Sequence, residues 1–204
     1  CVANIPWTHH PPNLNNNSRQ IYARQKRTNA PDYLRKIGIK PEHIDAVFED
    51  YLKKGYIEEV TVPKELERND QWYLPYFPVV KFDRATTKVR LVFDAAAKDK
   101  KGISLNSEVR ETPNRLNDLN KTLTQMRKFK YAVMGDVSEM FLRIRLSKAE
   151  RRFHRFFWKD RVFEFTRTLF GNKCSPNFSQ KVLEMAAEMT DDPAVKEAIK
   201  NCTY

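Results

Sequence analysis

The spacing of apolar residues along this chain changes several times, and each change marks an element. Across residues 41–54, Ile44, Val47, Phe48, Tyr51 and Leu52 recur at helical spacing, and Gly55 stands where a helix ends in a left-handed residue. A short strand is expected at 56–60. Two extended runs, 73–82 and 88–94, flank the polar Asp83-Arg-Ala-Thr-Thr87 and predict a β-hairpin. Pro113 then opens a predicted helix that buries Leu116, Leu119, Leu123 and Met126 and ends near Lys128. The apolar, partly β-branched residues 131–134 predict a buried strand ending at Asp136, and Leu142-Arg-Ile-Arg-Leu146 alternates as an outgoing strand would. A second ribbon, 153–158 and 162–169, turns at Lys159-Asp160-Arg161. Ser175 as N-cap and Pro176 at N1 open a helix through Met189, and a last short helix covers 193–200. Residues 1–30 carry Pro6, Pro11, Pro12 and Asn15-Asn-Asn17 and read as an irregular lead-in with a short helix in the polar stretch 18–27.

Composition narrows the picture. A chain of 204 residues with 41% hydrophobic content can build an adequate core as one domain or two small lobes. It has no apolar run of membrane-spanning length, and Cys1-Val-Ala-Asn-Ile-Pro lacks the basic and apolar regions of a signal peptide. The expectation is a soluble, non-secreted piece of a longer polypeptide, since residue 1 is Cys. Cys1, Cys174 and Cys202 are odd in number and far apart, which argues against a disulfide framework or structural zinc.

Net charge is +11, and residues 121–173 hold fourteen Lys and Arg against five Asp and Glu, a surplus of nine. Phe153, Phe156, Phe157, Trp158, Phe163 and Phe165 interleave with those cations. Two compatible readings are open: a surface that neutralises phosphates, or a ribbon with aromatics in the core and charges in water.

The chemistry centres on Asp136, a lone carboxylate at the end of a predicted buried strand. It can serve a metal, or it can cap the next turn with Glu139 three residues on. With the first hairpin turning between Ala85 and Thr86, Lys81 sits opposite Arg90, a like-charge pair that an anion such as a triphosphate would relieve; in another register both face solvent.

Taken in order, Tyr73-Leu-Pro, Thr86-Thr-Lys-Val-Arg90-Leu-Val-Phe-Asp94-Ala, Ser104-Leu-Asn106, Gly135-Asp136-Val-Ser-Glu-Met140-Phe141, Arg155-Phe-Phe-Trp158, and Phe170-Gly171 followed by Ser175-Pro176 resemble a reverse transcriptase. The resemblance is to the BEL/Pao class of long-terminal-repeat retrotransposons and covers roughly residues 72–188, with weaker support from Ile5-Pro6-Trp7 and residues 55–60. It implies an α+β right-hand polymerase fold comprising fingers and a partial palm: a lead-in at 1–40, fingers at 41–112 and 148–174, and palm at 113–147 and 175–204. It implies RNA-directed DNA polymerase activity in the parent protein, a nucleotidyl transfer to a primer 3′-hydroxyl with two Mg²⁺ ions. Asp136 resembles the first metal-binding carboxylate, with the Val137 carbonyl as a further ligand. Phe141 resembles the aromatic that bars a ribose 2′-hydroxyl. Lys81 and Arg90 look like the residues that hold the triphosphate. Phe170 and Gly171 look like the loop over the nucleotide, with Phe170 where some relatives carry Gln.

The implied partners are a primed RNA or DNA template, deoxynucleoside triphosphates and the rest of a Pol polyprotein. The implied setting is intracellular, either cytoplasmic, virus-like particles included, or nuclear. The family's other two palm carboxylates follow in a Tyr-x-Asp-Asp turn whose first residue matches Tyr204, so residues 1–204 are expected to be inactive alone. Two competing readings are a non-catalytic nucleic-acid-binding module from a decayed or co-opted retroelement and a purely structural fragment.

Overall fold

Phe48 explains how the fold closes. It lies on the buried face of α3 (Pro41–Lys53), whose Ile44 is also buried, and it is fully enclosed. Its ring stacks on Phe156 at 5.1 Å and meets Tyr76 and Trp158 at 5.0 Å, with Phe93 at 6.4 Å. These partners come from two hairpins. The computed structural model describes residues 1–81, 88–113 and 115–202. In it, β3 (Tyr76–Lys81) pairs antiparallel with β4 (Lys88–Phe93). Separately, β6 (Arg155–Trp158) pairs with β7 (Arg161–Phe165), and β7 pairs with β2 (Ile57–Glu59), giving the order β2-β7-β6. Lys159 and Asp160 both have positive φ, as a two-residue hairpin turn of matching twist requires.

The two hairpins are joined along the segment leading into β3. Leu74 N donates to Arg155 O at 2.7 Å and Arg155 N to Trp72 O at 3.2 Å, so Tyr73 lies parallel beside Arg155. The Arg155 guanidinium is buried but fully used, bonding Glu164 Oε2 at 3.1 Å, Glu65 Oε2 and Glu65 O both at 2.9 Å, and Gln71 Oε1. A charge so placed is tolerated because it is paired and saturated.

The chain start is built in. β1 (Val2–Ala3) runs parallel to β5 (Arg145–Leu146), and Trp7, 2% exposed, donates from Nε1 to Glu150 Oε2 at 2.8 Å. The short helix expected at 18–27 is α1 (Ser18–Thr28), which buries Ile21, and a further helix, α2 (Pro31–Lys36), buries Leu34. Short helices α4 (Pro63–Leu66) and α6 (Lys148–Arg151) punctuate the connections, and α7 (Ser175–Glu188) packs against α8 (Pro193–Cys202). No helix among the described residues is long and apolar enough to cross a membrane.

Three local expectations fail. The leucine helix is only α5 (Leu119–Met126), started by Asp118 Oδ1 accepting from Lys121 N at 2.8 Å, and Leu116, Leu119 and Leu123 are 42–46% exposed. Residues 131–137 form no strand, and Tyr131, Val133 and Met134 are 78–92% exposed. A strand needs a ladder partner, and among the described residues none lies beside this segment. Ser175 does not cap α7, because its hydroxyl donates to Leu169 O at 2.8 Å. The ribbon aromatics are core: Phe153, Phe156, Trp158, Phe163 and Phe165 are all buried. Only Phe157 is half-exposed, stacked on Tyr73 at 4.8 Å.

Phe48→Ala should cost about 3–5 kcal/mol, since it removes a ring that touches both hairpins. Urea unfolding would show it as a lowered midpoint, and a loss under 1 kcal/mol would mean that the hairpins are held together by something else.

Candidate nucleotide site

The candidate site residues fall into one group that the fold assembles and another that it leaves apart. Phe141 lies in a 3₁₀ turn, Met140–Arg143, directly before β5. Phe170 lies 29 positions further along, yet its ring meets Phe141 edge-on at 4.4 Å. The contact is fixed by the backbone beneath it. Thr168 Oγ1 donates to Phe141 O at 2.6 Å and Thr168 N to Ile144 O at 2.9 Å, so the strand-like residues 166–168 are tied to 141–146. Phe170 is 60% exposed and Phe141 half-buried, so the pair presents an aromatic surface to solvent.

Gly171 follows at φ +100°, a backbone setting that disfavours side chains, and a Cβ there would come within 2.5 Å of Phe93 O. The loop is clamped by Asn106, whose Nδ2 donates to Gly171 O at 2.8 Å while its Oδ1 accepts from Lys173 N at 2.9 Å. Asn106 N in turn donates to Ala95 O at 3.0 Å, linking the clamp to the end of β4. From the other side, Asn172 Nδ2 donates to His154 Nε2 at 2.8 Å, and His154 Nδ1 donates to Glu150 O at 2.9 Å. These two bonds assign the neutral tautomer with the proton on Nδ1. Burial pushes His154 down to about 4.

Glu139 was missed as an anchor by the sequence reading, which paired it with Asp136. It sits at φ +54°, and its carboxylate accepts from Lys54 Nζ at 2.7 Å and from Tyr56 OH at 2.8 Å. Lys54 also pairs with Asp50 at 2.7 Å. The hydrogen bond from Lys54, then that from Tyr56, holds the Glu139 carboxyl below its ordinary range. The signal that could have revealed this anchor is the basic and phenolic pair Lys54 and Tyr56 at the end of a predicted helix, but nothing in the sequence ties them to residue 139.

The remaining candidates stand apart. The Lys81–Arg90 pairing is not formed: Lys81 lies opposite Lys88 and Arg90 opposite Val79, a register two residues from the expected one. The turn that sets the register and the Lys81 side chain lie outside the described residues. Arg90 is exposed. Asp136 and Val137 are exposed on the unpaired segment, and Asp136 has no hydrogen-bond or ion-pair partner among the described residues. Asp136 therefore does not cap the turn. Magnesium asks for a near-octahedral shell of oxygens. Among the described residues no three His, Cys, Asp or Glu converge, and Glu139 is committed to Lys54 and Tyr56. Asp136 with the Val137 carbonyl does not by itself make a fit for the ion.

No protein-family model and no curated protein matches the chain. Solved structures do. The foamy viral protease-reverse transcriptase in complex with RNA/DNA hybrid superposes with a TM-score of 0.55 at 18% identity, over 92% of this chain and 21% of that one. The prototype foamy virus protease-reverse transcriptase CSH mutant gives a TM-score of 0.56 at 20% identity, over 74% of this chain and 19% of that one. The foamy viral enzyme in complex with dsDNA gives 0.53 at 20% identity, over 74% and 28%. The chain thus spans less than a third of these proteins, and the likeness is one of fold. The chain has a reverse-transcriptase-like fold.

Because His154 titrates near 4 when folded and near 6.5 when unfolded, the unfolded chain binds more protons between those values, and stability falls as pH drops through that window. Glu150 and Glu164, raised by burial, act in the opposite sense as pH rises above their ordinary range. The stability gap between the native chain and His154→Gln isolates the histidine. It should narrow by about 2–3 kcal/mol from pH 7 to pH 4.5 in urea titrations. A gap independent of pH would remove His154 from this role.

Proposed function

We propose that the chain is the fingers and partial palm of an RNA-directed DNA polymerase, a reverse transcriptase of the BEL/Pao retrotransposon class. The observation that carries this reading is the Phe141–Phe170 contact at 4.4 Å, on a ladder clamped through Thr168 and Asn106, within a fold shared with reverse transcriptases. Two aromatics 29 positions apart, meeting edge-on and flanked by a glycine pressed on a carbonyl, form an angled aromatic wall for a sugar. A ring fixed there excludes a 2′-hydroxyl by van der Waals contact, which selects deoxynucleoside triphosphates. In this reading the fingers comprise 41–112 and 148–174, the palm 113–147 and 175–204, and residues 1–40 are a lead-in that braces both, β1 against β5 and α1 against β3 and β6.

The primed template and the rest of a Pol polyprotein are the partners this reading requires, in the cytoplasm or nucleus. Magnesium is the cofactor it requires, and the carboxylates to complete its shell must join Asp136 from outside the described residues. The solved relatives in complex with RNA/DNA hybrid and dsDNA support a nucleic-acid partner. The reading of a non-catalytic binding module is weakened by burial, since five of the ribbon aromatics that would stack on bases are in the core.

Residues 1–204 should give no primer extension with Mg²⁺, and robust synthesis by this segment would contradict the proposal. In a longer polypeptide carrying the segment, Asp136→Asn should abolish synthesis with duplex binding nearly unchanged. Phe141→Ala should there raise ribonucleotide incorporation by about tenfold or more, the worth of roughly 1.4 kcal/mol of steric discrimination. Unaltered sugar selectivity would take Phe141 out of the site.

A further inference from the structure

The alternating run Leu142-Arg-Ile-Arg-Leu146 buries its apolar residues and exposes Arg143 and Arg145. Arg145 lies directly opposite Arg167 across the short antiparallel ladder that also carries Phe141. The bonds around the pair are Leu146 N to Thr166 O and Thr168 N to Ile144 O, both 2.9 Å. That pattern makes Arg145 and Arg167 a non-hydrogen-bonded pair, the kind whose Cα atoms come closest and whose side chains leave the same face side by side. Two cations so placed repel, and neither has a carboxylate within ion-pair distance among the described residues.

The surroundings add to the deficit of negative charge. Arg167 Nε is buried with no hydrogen-bond partner, and so is Nε of the nearby Arg151. Burial, then the charges of Arg145 and Arg151, push Arg167 below its ordinary value, with Tyr56 acting the other way. The acids on the packed elements are already taken: Glu58 by Arg151 at 2.6 Å, and Glu139 by Lys54 and Tyr56. A guanidinium does not shed its proton to escape such a site.

We propose that Arg145 and Arg167 form a notch for one phosphate group, held by both guanidinium forks at once. Planar forks match tetrahedral oxyanions and bind them in bidentate fashion. A phosphate is the anion that supplies enough acceptors for two forks and leaves the remaining oxygens in water. It can be carried by a nucleic-acid backbone or be free in solution, and the proposal does not depend on the polymerase reading.

Two measurements on the native chain, Arg145→Gln, Arg167→Gln and the double variant test it, with the exposed Lys101→Gln as control. The first is the affinity for a fluorescent oligo-dT as a function of salt. Each single variant should lower the slope of log affinity on log salt by about 0.7, and the double variant by no more than that, because one phosphate is shared. The second is thermal melting in inorganic phosphate against chloride at equal ionic strength. Phosphate should raise the melting temperature of the native chain but not of either variant, and Arg145→Gln should not melt lower in chloride, since it relieves repulsion. A slope effect without a phosphate effect assigns a backbone phosphodiester, and a phosphate effect without a slope effect assigns a free phosphate. Singles whose slope losses add in the double variant would mean independent surface cations and overturn the notch. So would the absence of both effects.

Discussion

The placement of the two hairpins rests on one enclosed aromatic cluster with Phe48 at its centre. β3–β4 and β6–β7 belong to different sheets, and among the described residues the backbone hydrogen bonds that link them run through residues 72–74. Hydrogen bonds along one short segment fix direction but leave the far ends free to splay. That freedom is removed by Phe48, which contacts Phe93 and Tyr76 on one hairpin and Phe156 and Trp158 on the other, together with Phe93, which meets Phe156 at 5.2 Å and Phe165 at 4.7 Å. Aromatic packing of this kind is strong because each ring buries a large area and its edge-to-face contacts fix angles as well as distances. The position of Gly171 against Phe93 O, and so of the whole 170–173 loop, follows from where that cluster sets β4.

The parts of the fold legible in the sequence are those that carry their own cover. Helix α3 and both hairpins show clean periodicity because they bury their apolar faces against one another, and observed bounds fall close to expected ones. The failures share a cause. Tyr131, Val133 and Met134, like Leu116, Leu119 and Leu123, have the pattern of buried residues, but a pattern states that a face needs cover without naming what supplies it. Helix α2 is the converse case, too short to show a period yet held by one buried leucine, Leu34.

The candidate site was legible to the same degree. Phe141, Phe170 and Gly171 belong together in the structure, which no spacing could have revealed, since the ladder joining them spans 20 and more positions. Lys81 and Arg90 were paired by assuming a turn centre, and register depends on turn geometry that composition does not specify. The physical argument made for them, that opposed cations want an anion, is sound. It applies instead to Arg145 and Arg167, where the ladder bonds define the pairing and the sequence shows only two arginines 22 positions apart.

Rigidity is distributed unevenly around the site, and this bears on how it would work. The Phe170–Gly171 loop is held from Asn106, Asn172 and Thr168, and Phe141 from the same ladder. Asp136 has no such ties; the anchors beyond it are Ser138, whose carbonyl accepts from Arg143 Nε at 2.8 Å, and Glu139, fixed to Lys54 and Tyr56 at the end of α3. On the proposed reading, the wall that judges the sugar is preformed where the palm residue Phe141 meets the fingers residue Phe170, whereas the carboxylate end becomes ordered only when a strand pairs with residues 131–137. Glu139 then acts as the pivot between them, a left-handed residue whose two hydrogen bonds fix the start of the 3₁₀ turn while the segment before it stays open for pairing. On that reading the order of assembly follows: sugar selectivity would come from this chain's own packing, and metal binding from what pairs with it.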